Sequence, residues 1–344
     1  MLRRLLAITP VDHPGGAELH LLHLLAGLGS RGWRLTLTTP GGGALRDTAL
    51  QAGYAWRALP LGGLARGAGA RAIGSWPAAR ALGRDTDVAY LNGAVCGRVL
   101  PALGDFAAGA RRPRSVLHIH DIVTRVPRLW RRADVVLADS QAVADRLTGL
   151  NPHVVYGPVD PDPPAAEPPW PTDDGPVIGF VGRIEPRKGA LDLVLAVPAI
   201  RRGAPGARVV VVGDDPYASN PAYTEAVIGS PEIEHHPWRA DVTGLMRHLD
   251  VLVLPSRQEP FGTVLAEAMA VGTPVVATTV GGLAEVVQDG VSGRLVAPGE
   301  PELLAQAVLE VLARREEMGA AARRRARRFW VEDYIERVEG LIAP

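Results

Sequence analysis

Of the 37 basic side chains in this chain, 36 are arginine and one, Lys188, is lysine. An ammonium is a compact point charge and a guanidinium a wide planar fork, so a lone lysine in an arginine-rich chain marks a place that wants the smaller cation. Lys188 lies in GRIEPRKG, residues 182–189, with Arg183 and Arg187 in the same glycine-bounded loop. Such a loop can grip a diphosphate, or it can be an ordinary solvated charge cluster. Further on, PSRQEPFGTVLAEAMAVG, residues 255–272, places Glu259, Phe261, Gly262 and Thr263 ahead of a helical run and Glu267 inside it. The neighbours of Glu267 are nearly all apolar, so its carboxylate is expected to be partly buried and to want a partner, for which ribose hydroxyls would serve. Glu259 at a helix start can be a ligand contact or a cap. Near the beginning, Gly15 and Gly16 precede an amphipathic run of about three turns. Without Cβ atoms they let a ligand touch the backbone at the positive end of a helix, or they only close a tight loop.

The elements that would position these residues alternate along the whole chain. Short apolar runs separated by helical patterns are the signature of βαβ units and parallel sheets. Strands are expected at 3–9, 34–39, 88–92, 115–120, 135–139 and 154–156, and in a second series at 177–181, 208–213, 233–236, 251–255 and 274–278. Each loop above follows one of them at its carboxyl end, where open parallel sheets bind ligands. Between the two series lies PVDPDPPAAEPPWPTDDGP, residues 158–176, in which eight prolines exclude helix interior and central strand. The expected organisation is therefore a first domain over 1–157, a stiff linker over 158–176, a second domain over 177–328 and a terminal helix over 329–344 that packs back towards the first domain.

These motifs resemble the retaining glycosyltransferases of family four, with the GT-B fold of two Rossmann-like domains whose parallel sheets face a central cleft. GGAE at 15–18, IHD at 119–121, GRIEPRKG, and EPFGTVLAEAMAVGTPVVAT with its two glutamates separated by seven residues occur in that family's order. The resemblance implies an enzyme that moves a hexose from a nucleoside-diphosphate sugar to a hydroxyl acceptor. It implies that Arg183 and Lys188 hold the diphosphate, that Glu267 binds ribose, and that Glu259 and His120 contact the hexose near the reacting carbon. Gly15, Gly16 and the backbone of Phe261, Gly262 and Thr263 would line the donor site. Departures occur at VVYGPVD, where the family usually has Asn and Gly, and at Pro237 and Trp238, where a glycine is common. A non-catalytic nucleotide-sugar-binding protein of the same fold is the alternative.

Composition narrows the remaining classes. The 344 residues, 47% hydrophobic and 22% charged, suit two globular domains. Net charge is zero, which argues against nucleic acid as the main partner, but residues 1–160 carry 19 basic and 11 acidic side chains, a balance of +8 that the rest of the chain reverses. The clusters Arg111, Arg112, Arg114 and Arg125, Arg128, Arg131, Arg132 raise the expectation of an anionic acceptor or of peripheral contact with an acidic membrane face. Cys96 is the only cysteine, so neither a disulfide framework nor a thiolate metal site is expected. No metal and no cofactor beyond the sugar nucleotide is expected; the pairs Asp85 with Asp87 and Asp160 with Asp162 read as turns. The start MLRRLLAITP turns polar too early for a secretory signal, and a cytoplasmic location is the expectation. Pyridoxal-phosphate phosphorylases are disfavoured because Lys188 is already committed, and dinucleotide oxidoreductases because no G-x-G-x-x-G follows a strand.

Overall fold

The computed structural model describes residues 3–343 apart from 63–67, 105–111, 173–174, 217 and 219, so Arg111 lies outside the described residues. The chain forms two compact units, Met1–Pro158 together with Val331–Pro344, and Val159–Trp330. The first contains β1 (Arg4–Ile8), β2 (Arg34–Thr39), β3 (Ala55–Ala58), β4 (Val88–Asn92), β5 (Arg114–Ile119), β6 (Val135–Ala138) and β7 (Pro152–Val154), all parallel, in the order β3-β2-β1-β4-β5-β6-β7. The second contains β8 (Val177–Val181), β9 (Arg208–Val212), β10 (Glu234–His236), β11 (Val251–Leu254), β12 (Val275–Thr278) and β13 (Gly293–Val296), again parallel, in the order β10-β9-β8-β11-β12-β13. Strand order reverses between β1 and β4 and between β8 and β11. Those are the switch points at which a doubly wound sheet opens a crevice for a ligand.

All the expected strands are present, with β7 displaced by two residues. The two the sequence did not reveal, β3 and β13, are four-residue edge strands. An edge strand is covered on fewer sides, so it needs no continuous apolar run, and AWRA and GRLV offer none.

In the first unit the helix Gly16–Ser30 buries Leu21, Leu24, Leu25 and Leu28 against the sheet. The terminal helix Val331–Ile342 lies on it, burying Tyr334, Ile335, Val338 and Ile342 in the same core. Gly27 makes that approach: a Cβ there would stand 2.2 Å from the Ile335 side chain. Glu339 latches the same helix, accepting from Arg3 at 3.2 Å, Arg31 at 2.7 Å and the Trp33 indole N–H at 2.8 Å.

In the second unit the proline-rich segment is strapped to the surface. Arg247 donates to the Pro163 carbonyl at 2.8 Å, His248 Nε2 lies 3.0 Å from the Ala166 carbonyl, and Trp170 is buried with its ring 5.4 Å from His236.

Candidate functional site

Both switch points carry clusters of polar side chains, and each is built by loops at the carboxyl ends of strands. In the second unit, GRIEPRKG follows β8 and PSRQEPFG follows β11. The two loops are stitched together: the Arg257 N–H donates to the Arg187 carbonyl at 2.8 Å, and the Arg187 guanidinium donates to the Gln258 carbonyl at 3.1 Å. Gly189, at φ +73°, makes the close pass possible, since a Cβ there would lie 2.0 Å from the Pro255 carbonyl oxygen. Asp192, on the helix Ala190–Gly203 that follows, accepts from Arg257 at 2.9 and 3.0 Å and pins the second loop from beneath.

Within this frame Lys188 Nζ lies 2.6 Å from Glu259 Oε2, and the Ser256 hydroxyl donates to the same oxygen at 3.2 Å. The two side chains are largely enclosed, 14% and 9% exposed. Two residues named from the sequence as donor contacts thus hold each other. Arg183 is more open and leans on Glu185 at 3.5 Å, a carboxylate that Arg187 also reaches at 2.8 Å. Gly262, at φ +95°, starts the helix Thr263–Ala270. Phe261 turns its ring into the core, 5.4 Å from Phe329, so only its backbone is available at the loop. Glu267 is partly buried in the middle of that helix. Among the described residues no hydrogen bond or ion pair reaches its carboxylate, and burial lifts its pKa from 4.5 to about 7.

In the first unit, the carboxyl ends of β1, β4, β5 and β6 surround the start of the helix Gly16–Ser30. Glu18 is buried there; one oxygen accepts from the Gly15 N–H at 3.2 Å, and the other from the Thr9 hydroxyl at 3.0 Å and the Asn92 amide at 3.4 Å. His120 is buried between Asn92 Oδ1, 2.8 Å from its Nε2, and Asp139, whose oxygens lie 2.9 and 2.8 Å from its Nδ1. Both ring nitrogens of His120 are therefore occupied by protein oxygens. His118 completes the cluster, with Nε2 2.8 Å from Asp139 Oδ1 and Nδ1 2.5 Å from the Tyr90 hydroxyl. Burial pushes His20 down to about 3 and His118 down to about 4. Burial opposes the charge of His120 as well, but Asp139, Glu18 and Asp121 outweigh it and raise that ring above its ordinary value. Burial would raise Asp139, yet His120 and His118 hold it well below the carboxylate range.

The sequence pointed to His120, Gly15 and Gly16 here and missed Thr9, Asn92, His118 and Asp139, while Glu18 stood unremarked in GGAE. A polar residue ending each apolar strand was the available signal. As for metals, His20, His120 and Asp139 bring one ligand atom each within 4.8 Å of one another. His120 Nδ1 is hydrogen-bonded to Asp139, and His20 Nδ1 stands 3.9 Å from the same carboxylate. Asp87 accepts the Arg4 N–H at 2.8 Å, a contact between the starts of β4 and β1, and Asp160 accepts the Asp162 N–H at 2.9 Å, the work of a turn residue.

Residues 14–163 match the family model "Glycosyltransferase Family 4", and residues 175–314 match "Glycosyl transferases group 1". HepE from Anabaena, solved with UDP and glucose, superposes with a TM-score of 0.82 at 25% identity over 98% of both chains. The chain belongs to the GT4-type glycosyltransferases of GT-B fold. Among relatives of this GT4-type protein, the glycogen synthase of Mycobacterium tuberculosis is 38% identical over 151 residues, 43% of this chain and 36% of that protein. The 2-deoxystreptamine glucosyltransferase of Streptomyces kanamyceticus is 33% identical over 238 residues, 62% of this chain and 60% of the relative. The chain thus spans little more than a third of the length of the first curated relatives it matches. Among the described residues of this GT4-type protein, no helix is long and apolar enough to cross a membrane.

Proposed function

We propose that the protein is a retaining glycosyltransferase that moves a hexose from a nucleoside-diphosphate sugar to a hydroxyl acceptor without a metal ion. The observation that carries this reading is the stitched pair of loops at the β8/β11 switch point, which sets Lys188 beside Glu259, holds Arg183 against Glu185 in the same loop and leaves Glu267 without a partner among the described residues. A diphosphate carries more charge than one carboxylate and draws Lys188 from Glu259, which is then released towards the sugar. The bond from the anomeric carbon to the diphosphate oxygen breaks and a bond from the acceptor oxygen to that carbon forms on the same face. The acceptor's proton passes to the leaving phosphate oxygen. Charge grows on the leaving oxygen, and Lys188, Arg183 and the loop N–H groups stabilise it where a metal would otherwise serve. Glu267 takes the ribose hydroxyls, which supply the missing hydrogen bonds of its carboxylate. Solved neighbours in complex with UDP and UDP-glucose support a uridine nucleotide as the first donor to try.

A thermal-shift series with UDP, GDP, ADP and dTDP tests the reading. A ligand at 100 times its dissociation constant adds about 2.7 kcal/mol of stability. One nucleoside diphosphate is expected to raise the melting temperature clearly, and its sugar conjugate to be hydrolysed slowly without acceptor. No shift from any of the four overturns the donor assignment, and binding without hydrolysis or transfer favours a non-catalytic binding protein.

Arg112 is held by Asp134 at 2.8 and 2.7 Å and Arg114 by the Leu341 and Ala343 carbonyls; Arg125, Arg128 and Arg131 are exposed beside half-buried Ile122, Val123, Val126 and Leu129, and we propose this segment as the anionic contact. Flotation with anionic liposomes at low and high salt is the check on membrane contact; absence of binding at low salt removes it.

A further inference from the structure

The polar cluster at the carboxyl ends of β4, β5 and β6 has a hydrogen-bond arithmetic that closes only if His120 carries two ring protons. The Asn92 amide nitrogen points to the Ala17 carbonyl at 3.3 Å and to Glu18 Oε1 at 3.4 Å, so its oxygen is the atom that faces His120 Nε2. An amide oxygen only accepts, and Nε2 must donate. On the other side of the ring both Asp139 oxygens lie within 2.9 Å of Nδ1. A neutral ring has one N–H, and spending it on Asn92 would set a bare Nδ1 against a carboxylate in a place closed to water, where two facing acceptors are costly. The proton between them stays on the ring, because imidazole is the stronger base.

We propose that Asp139 is a positioning residue that holds His120 doubly protonated and, through Asn92 and Glu18, sets the Gly15–Gly16 turn. The line of force is continuous. Asp139 orients the His120 ring, Nε2–H orients the Asn92 amide, and that amide, with the Thr9 hydroxyl, fixes the Glu18 carboxylate that caps the Gly15 N–H. Removing one proton from His120 turns the Nε2 or Nδ1 contact repulsive and loosens the chain at its middle. The charged and titratable groups facing the ring are Glu18 and His20 from the helix Gly16–Ser30, His118 on β5, Asp121 just beyond it, and Asp139 after β6. Behind His118 stand Tyr90 and Tyr334, whose burial keeps both phenols neutral. That this turn touches the donor rests on the function proposed above; the proton and the turn do not.

The full chain labelled with 15N on histidine and glycine, freed of metal by chelation, provides the test. At pH 7 both His120 ring nitrogens are expected to carry protons, and the Gly15 and Gly16 amide resonances are expected to titrate together with the ring as pH rises. In Asp139→Asn the ring is expected to be singly protonated at pH 7 and those two amides to be displaced already. UDP-glucose is expected to bind about tenfold more weakly to this variant at pH 7, with a dissociation constant that no longer depends on pH between 6 and 9. A single proton on His120 of the unaltered chain at pH 7, a stoichiometric metal that survives chelation, or glycine amides indifferent to the titration overturns the inference. The wild-type titration decides it even if the variant does not fold. Failure of UDP-glucose to bind at all would count against the donor assignment alone, because the ring and glycine signals are read without it.

Discussion

The two switch points of this protein use polar side chains in opposite ways. At β1/β4 the hydroxyl, amide, imidazole and carboxylate groups are spent on one another, in a buried chain running from Thr9 through Glu18, Asn92 and His120 to Asp139. At β8/β11 the backbone is stitched just as firmly, but fewer side chains join one network: Lys188 pairs with Glu259, Arg183 lies partly exposed beside Glu185, and Glu267 has no partner among the described residues. A densely hydrogen-bonded network fixes geometry and has less left to offer a ligand, whereas a sparser one pays in stability for groups that a ligand will complete. On the function proposed above, the first site would act mainly as a brace and the second would carry the donor diphosphate.

The largest expected break of that contrast is at Lys188. Lys188→Ala is expected to raise the barrier to transfer by about 3 kcal/mol, roughly 10²-fold in rate, because the ammonium acts on charge that grows in the transition state. From the sequence alone this residue would be replaced with little effect on folding. The 2.6 Å pair to an enclosed Glu259 changes that expectation, since removing the cation strands a carboxylate and is expected to lower stability by about 3 kcal/mol. Adding Glu259→Gln should restore the melting temperature and leave transfer lost. Near-normal turnover in Lys188→Arg would show that a compact ammonium is not required.

Next in size, the two units should respond to pH with opposite sign. His20 and His118 have folded values of about 3 and about 4, below the ordinary 6.5, so they remain neutral in the fold but take up protons on unfolding as pH falls below 6.5. Between pH 7 and pH 5 each contributes a loss of about 2 kcal/mol. His120, raised, gives stability that is present at acid pH and is lost only as pH rises through its folded value. Amides of β4, β5 and β6 are therefore expected to exchange more readily at pH 5 than at pH 7. In the second unit Glu267 acts the other way: its folded value of about 7 exceeds 4.5, so stability is full below 4.5 and declines as pH rises to about 7. His236, half-buried and lowered, is the only described histidine of that unit shifted in the first sense. Equal acid sensitivity in both units would erase the contrast.

The glutamates sharpen the comparison within the second site. Glu267→Gln is expected to raise donor KM several-fold with a smaller change in kcat, and to stabilise the unliganded protein at pH 8 by on the order of 1 kcal/mol, since a desolvated charge is removed. Glu259→Gln is expected to lower kcat itself and to gain no stability, because its charge is already matched. Purely KM effects from both would refute the division of roles. The smallest expected effect is at Glu339→Gln, which loosens the latch of Arg3, Arg31 and Trp33 on the terminal helix and should cost about 1 kcal/mol with kcat unchanged.

By itself the sequence determined the parallel α/β class, the position of the central strands, and the two loops that carry Lys188, Glu259 and Glu267. Those features are written locally: a buried parallel strand is an apolar run, and a ligand loop is glycine and charge at its carboxyl end. Tertiary structure alone decided which charges meet. Lys188 and Glu259 are 71 residues apart and become an ion pair only because Gly189 lets one loop pass under the other. Glu18, Asn92, His120 and Asp139 come from four separate elements and share one network only because β4, β5 and β6 lie side by side and end at the same level. The short edge strands β3 and β13 likewise owe their existence to a neighbour's unpaired backbone rather than to their own residues. Periodicity records what a residue buries against its own element's partners; it holds no record of which distant carboxylate will stand beside which cation, because that distance is set by the packing of strands far apart in the chain.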